Sequence, residues 1–156
     1  MSRVAFANLV ATWFGCGRSP VAPGTVGSAA AVAIAIVLVR YAGFAPWHFF
    51  VMAVLLFGPA VWAAGVSAEA AKIEDPGFVV VDEVVGQWVA LAGASTLNWK
   101  SFLAGFVLFR LFDIWKPPPA RQLEALHGGL GINADDVMAG LYAALVLFAA
   151  GWFNLY

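Results

Sequence analysis

Long apolar runs separated by short polar breaks dominate the chain. No charged residue falls between Arg18 and Arg40, between Arg40 and Glu69, or from Val137 to Tyr156. A helix needs roughly 20 largely apolar residues to cross a hydrocarbon core. The runs beginning near Val26, covering Trp47 to Val66, and following Asp136 therefore each predict a crossing. Two further stretches are less complete: Val84 to Leu97 is short, and Phe102 to Trp115 carries Arg110 and Asp113. Together they predict a shorter or tilted hairpin. Met1 to Phe14 predicts an amphipathic helix; its apolar part is followed by a Gly and Pro loop and not by a small-residue cleavage site, so no cleaved signal peptide is expected. The expected fold is all-α, a multi-pass helical membrane bundle of about five membrane helices behind an N-terminal helix. It forms one domain, 1–156, without repeats or low-complexity tracts.

Composition strengthens the membrane reading. The chain is 63% hydrophobic and 11% charged, with seven Trp and thirteen Phe, too apolar for an ordinary soluble domain. A formal net charge of -1 supplies no basic surface for a phosphate backbone, so nucleic acid is not an expected partner. Cys16 stands alone, which excludes an internal disulfide. If the N-terminus is cytoplasmic and all five segments cross, Arg3, Arg18, Lys72, Lys116 and Arg121 fall inside, with Arg40 and Lys100 outside, as the positive-inside bias favours. Three polar segments then emerge on the cytoplasmic face: Gly15 to Ser28, the Asp82-Glu83 pair, and the stretch from Lys116 to Asp136.

Against this background the carboxylates at Asp82, Glu83, Asp113, Asp135 and Asp136 are expensive to keep. Ionisable groups in or beside a membrane persist when they are paired, hydrated or metal-bound, which makes them candidate functional residues. The segment GCGRSPVAPGTVGS offers backbone N-H groups at a helix entry, with Arg18, Ser19 and Thr25 as side-chain donors to an anion. A plain helix entry capped by Thr25 or Ser28 is the competing expectation. In FVVVDEVVGQWVAL, Asp82 and Glu83 are adjacent, so on a helix they diverge by about 100° and could face one divalent ion each, or one ion and its water, unless either caps the helix; Gln87 lies one turn beyond Glu83. In FRLFDIWKPPPARQLEALHGGLGINADDVMAG, Arg110, Asp113 and Lys116 recur at three-residue spacing. A flexible Gly loop is then expected to deliver Asp135 and Asp136 to the first turn of the last helix, where they serve either as ligands or as dipole-favoured caps. No Cys or His set has zinc-ligand spacing, so oxygen ligation, with magnesium as the natural ion, is expected.

These three blocks, in this order and over nearly the whole chain, resemble the bacterial phosphatidylglycerophosphatase A family. The FRLFDIWKP and GGLGINADD segments carry most of the resemblance. It implies a magnesium-dependent inner-membrane phosphatase that converts phosphatidylglycerophosphate to phosphatidylglycerol, in the last step of making that lipid; the topology above puts its active site at the cytoplasmic face. Carried onto this sequence, it implies Asp82, Glu83, Asp135 and Asp136 as catalytic residues, and the same four with Asp113 as metal ligands. Arg110 and Lys116 become the basic partners, and together with Arg18, Ser19 and Thr25, read above from the loop itself, they make up the expected substrate-binding set. Asn133 departs from the Met usual in the family's last block, and His127 occupies a variable linker position. The rival expectation is a small transporter or channel, or a structural membrane subunit, using the same acids for ion binding or salt bridges.

Overall fold

The computed structural model describes residues 1–156 and contains helices but no strands. Helix α1 spans Arg3–Ala11, α2 Pro23–Ala42, α3 Pro46–Ala71, α4 Val81–Ala92, α5 Trp99–Trp115, α6 Ala120–Leu123 and α7 Gly129–Trp152. Pro23 and Pro46 open α2 and α3 at their first positions, where a missing N-H costs nothing. Asn98 caps α5 by accepting from the backbone N-H groups of Lys100 and Ser101.

Three helices, α2, α3 and α7, are long and apolar enough to cross a membrane. Large apolar side chains cover their outer faces, among them Val37, Leu55, Leu145 and Phe148, each more than half exposed. Contiguous apolar surface on this scale belongs against lipid, and the chain is a membrane protein. Helix α4 differs. At about 1.5 Å per residue its twelve residues reach only about 18 Å, and all but Glu83 and Ala92 are buried. It forms the inner strut of the bundle, and α5 returns beside it, the short hairpin that the sequence predicts. The N-terminal helix turns small residues, Ala7 and Ala11, inward and leaves Val4, Phe6 and Leu9 exposed. Its apolar side therefore faces outward, with the Phe6 ring packed at a tilt against Trp62 of α3, centroids 6.0 Å apart.

Glycines set the helix separations. A Cβ on Gly86 would meet the Asp136 carbonyl at 2.6 Å, one on Gly140 the Gly86 carbonyl at 2.4 Å, and one on Gly93 the Ala144 carbonyl at 2.2 Å. Backbone-to-backbone approach of this kind is how membrane helices pack without large side chains between them. The same contacts show that α4 and α7 run in parallel. Trp88 donates to the Ala31 carbonyl at 3.2 Å and ties α4 to α2, while the Val80 N-H reaches the Ala11 carbonyl at 2.8 Å. The N-termini of α2, α4 and α7 thus share one end of the bundle with the C-termini of α3 and α5.

Candidate active site

All nine acidic residues lie at that end or within the helix turns next to it, with Arg3, Arg18, Lys72, Arg110, Lys116 and Arg121. Only Arg40 and Lys100 mark the opposite end. At the centre, one carboxylate oxygen from each of Asp82, Glu83 and Asp136 lies within 4.8 Å of the others. Asp82 and Asp136 are 7% and 3% exposed, and neither Asp82 Oδ1 nor Glu83 Oε2 has a hydrogen-bond partner. Buried, unpartnered carboxylate oxygens are rare because each forfeits its hydration. Asp113, on α5, lies close enough to Asp136 for the two carboxyls to interact directly, and it forms a short ion pair with Arg110. Arg110 Nη1 also stands 3.8 Å from Glu83. The cluster opens to one side through Glu83, Arg110 and Asp113, whose side chains are 14%, 17% and 13% exposed.

The N-terminal loop reaches this cluster through its backbone. Gly24 lies at the second position of α2, and a Cβ there would sit 2.0 Å from Glu83 Oε1 and 3.3 Å from Arg110 Nη1. The three side chains expected to bind an anion do something else. Arg18 is exposed beside Asn8, Thr12 and Phe78. The Ser19 hydroxyl donates to the Val21 carbonyl within its own loop. Thr25 is half-buried and makes no side-chain hydrogen bond. Nor is α2 capped by Thr25 or Ser28. Its N-cap is Ala22, in the left-handed region, and the Ser28 hydroxyl donates back to the Gly24 carbonyl at 3.0 Å.

The last block departs further from expectation. HGGLGINADD is not a flexible loop, because α7 begins at Gly129. Asp135 and Asp136 are therefore two turns into the helix and cannot be caps. Helix starts early there because Gly129 and Gly131 can approach the Val61 and Leu126 carbonyls, each of which a Cβ would meet at 1.9 Å. Successive residues on a helix diverge by about 100°, and the two aspartates separate accordingly. Asp136 joins Asp82 and Glu83, whereas Asp135 Oδ2 bonds Lys116 Nζ at 2.7 Å. Lys116 also bonds Glu124 at 2.8 Å. Burial works against the Lys116 charge, but the hydrogen bonds that its ammonium donates to Asp135 and Glu124 outweigh it and hold the ammonium above the usual lysine range. Asp135 thus lies outside the inner carboxylate cluster, and Lys116 at its rim.

Sequence reasoning missed Glu124 and Asp75. Glu124 sits in a polar connector with no periodicity to single it out, and Asp75 in the loop before α4 is near enough to feel the charges of Lys116, Glu124 and Asp113. Gln87 and Asn133 are fully buried with unpartnered side-chain atoms, Asn133 keeping one bond to the Gly129 carbonyl.

Comparison with known proteins fits this geometry to a family. The family model described as Phosphatidylglycerophosphatase A matches residues 9–151. The chain belongs to the phosphatidylglycerophosphatase A family. It is 37% identical to phosphatidylglycerophosphatase A of Escherichia coli K12 over 96% of this chain and 88% of that protein. The Haemophilus influenzae phosphatidylglycerophosphatase A is 38% identical over 95% and 90% respectively. A Bacteroides thetaiotaomicron protein named as a putative phosphatidylinositol-3-phosphatase is 41% identical over 97% of this chain and 98% of its own. No solved structure matches. In this chain the acidic blocks lie at one end of the bundle, on the parallel helices α4 and α7 and their neighbour α5.

Proposed function

We propose that this membrane phosphatase hydrolyses the terminal phosphomonoester of phosphatidylglycerophosphate at the cytoplasmic face of the bacterial inner membrane. Water adds to phosphorus, the P-O bond to the headgroup glycerol breaks, and phosphatidylglycerol and inorganic phosphate leave, as the last step of phosphatidylglycerol synthesis. The observation that carries this reading is the convergence of Asp82, Glu83 and Asp136 within 4.8 Å, from two helices, in a chain of this family.

The donor set fits a hard divalent cation. Three carboxylates crowded together and partly orphaned repel one another unless a positive charge lies among them, and oxygen ligands suit magnesium. Asp82, Glu83 and Asp136 would hold it, with Asp113 beside them. Bound there, magnesium supplies charge neutralisation at the phosphate and makes a water more acidic. The protein's own groups do the rest. Arg110, held by Asp113 and Glu83, presents a guanidinium to nonbridging oxygens, the charge on which must be neutralised in phosphoryl transfer. The N-termini of α2 and α4 add favourable potential for an anion. Lys116, anchored by Asp135 and Glu124, supplies a second cation at the rim. Arg18, Ser19 and Thr25 take no part in this arrangement; the backbone at Gly24 does.

An ion pathway would distribute acids through the membrane depth, whereas here every acid belongs to one end. A second reading of the substrate follows from the Bacteroides relative, whose name denotes a different phosphorylated headgroup. Phosphate release by purified protein from phosphatidylglycerophosphate and from phosphatidylinositol 3-phosphate, each with magnesium and with excess chelator, tests both. Magnesium-dependent release from the first lipid is expected to dominate. Release that ignores chelation would remove the metal from the account.

A further inference from the structure

Below the carboxylate cluster an open groove of about 290 Å³ runs between α3, α4 and α7, lined only by apolar side chains. That volume is close to the lower end of the roughly 300 to 1,000 Å³ typical of small-molecule sites. Ala53, Val85 and Val89 form its floor at 2%, 1% and 6% exposure, and Val54 and Leu141 form a rim open to the surrounding lipid. The groove continues directly from the site. Val85 and Val89 follow Asp82 by three and seven residues, on the same face of α4.

We infer that this groove seats an acyl chain of the substrate lipid directly beneath the Asp82-Glu83-Asp136 cluster. The inference rests on the lipid-phosphatase reading and adds to it the path of the chain. A lipid whose phosphate lies at the cluster must send its acyl chains down into the bilayer. The groove between α3, α4 and α7 is lined on α4 by Val85 and Val89, which share a face with Asp82. A second apolar groove, between α2 and α5, is built around Ile36, Trp99, Phe102 and Leu103. Trp99 and Phe102 belong to the start of α5, whereas Arg110 and Asp113 belong to its other end, so this groove is displaced from the site. It serves as an internal control.

Inside a bilayer an acyl chain gains little by leaving one apolar environment for another, so the groove acts by packing and placement. Its effect belongs in the productive positioning of the phosphate, where a displacement of about 1 Å can cost about 100-fold. The test compares dioleoyl with dihexanoyl phosphatidylglycerophosphate in mixed micelles. Val54→Trp and Leu141→Trp place bulk at exposed rim positions, where the bundle can accommodate it. Each is expected to lower the ratio of kcat/KM for dioleoyl over dihexanoyl lipid by at least about tenfold, while Ile36→Trp in the other groove leaves the ratio at the wild-type value. An unchanged ratio in both rim variants, or an equal fall in all three, overturns the acyl path while leaving the phosphatase reading intact. Wild-type protein that releases phosphate from neither lipid sinks both.

Discussion

Asp135 and Asp136 are consecutive residues of one helix, yet they belong to two different electrostatic regions. Asp136 faces Asp82 and Glu83 and meets mainly other carboxylates. Asp135 faces Lys116, which is shared with Glu124, in an ion-pair network at the rim. The inner region is short of positive charge and the outer one is internally compensated. A cluster that cannot balance its own charge is one that asks for a cation from outside, and a balanced network already has its counter-ion. Helical geometry makes the distinction: one step along α7 turns the side chain by about 100° from one region into the other.

Substitutions should separate the two regions in a definite order. Asp82→Asn and Asp136→Asn are expected to cost most, at least about 100-fold in phosphate release, because loss of groups that only support metal ligands already costs about 10 to 100-fold. Equal amounts of folded protein recovered in detergent would attribute the loss to the site. Gly24→Ala should follow, with a loss of about tenfold or more in kcat, since its methyl group must displace the Glu83 carboxylate. Unaltered kcat in that variant would detach the N-terminal loop from the site. Lys116→Met and Asp135→Asn should each raise KM by less than about tenfold and leave the magnesium midpoint unchanged. Their double variant should lose less than the product of the single effects, because both remove the same contact. Smallest of all, Arg40→Gln and Lys100→Gln at the far end should leave turnover within about twofold of wild type, as surface changes distant from a site usually do.

Much of this architecture was legible in the residues. The uncharged runs after Arg18, Arg40 and Asp136 correspond to the three long helices, because the bilayer imposes length and apolarity directly on sequence. The interrupted pair predicted a hairpin, and α4 proved to be its buried arm. Convergence of three distant blocks also followed from the alternation of spans. What sequence did not disclose was orientation within a helix turn. The assignment of Asp135 and Asp136 to a common role assumed a loop at HGGLG, where glycine usually marks flexibility. Here Gly129 and Gly131 are packing positions against the α3 and Leu126 carbonyls, so the helix starts early and rotates the two acids apart. Similarly, Arg18, Ser19 and Thr25 looked like anion donors by residue type, while the group that touches the site is the side-chain-free Gly24. Long-range closeness of that kind leaves no periodic trace.

The most direct test of the central claim is a magnesium titration of phosphate release from phosphatidylglycerophosphate by wild type, Asp136→Asn and Asp135→Asn. The inner cluster as a cation site predicts a midpoint at least about tenfold higher, or no saturable activity, for Asp136→Asn. It predicts a wild-type midpoint for Asp135→Asn, whose carboxylate is committed to Lys116. Indistinguishable midpoints in the two variants would contradict the division between the regions and the assignment of the metal to the inner one.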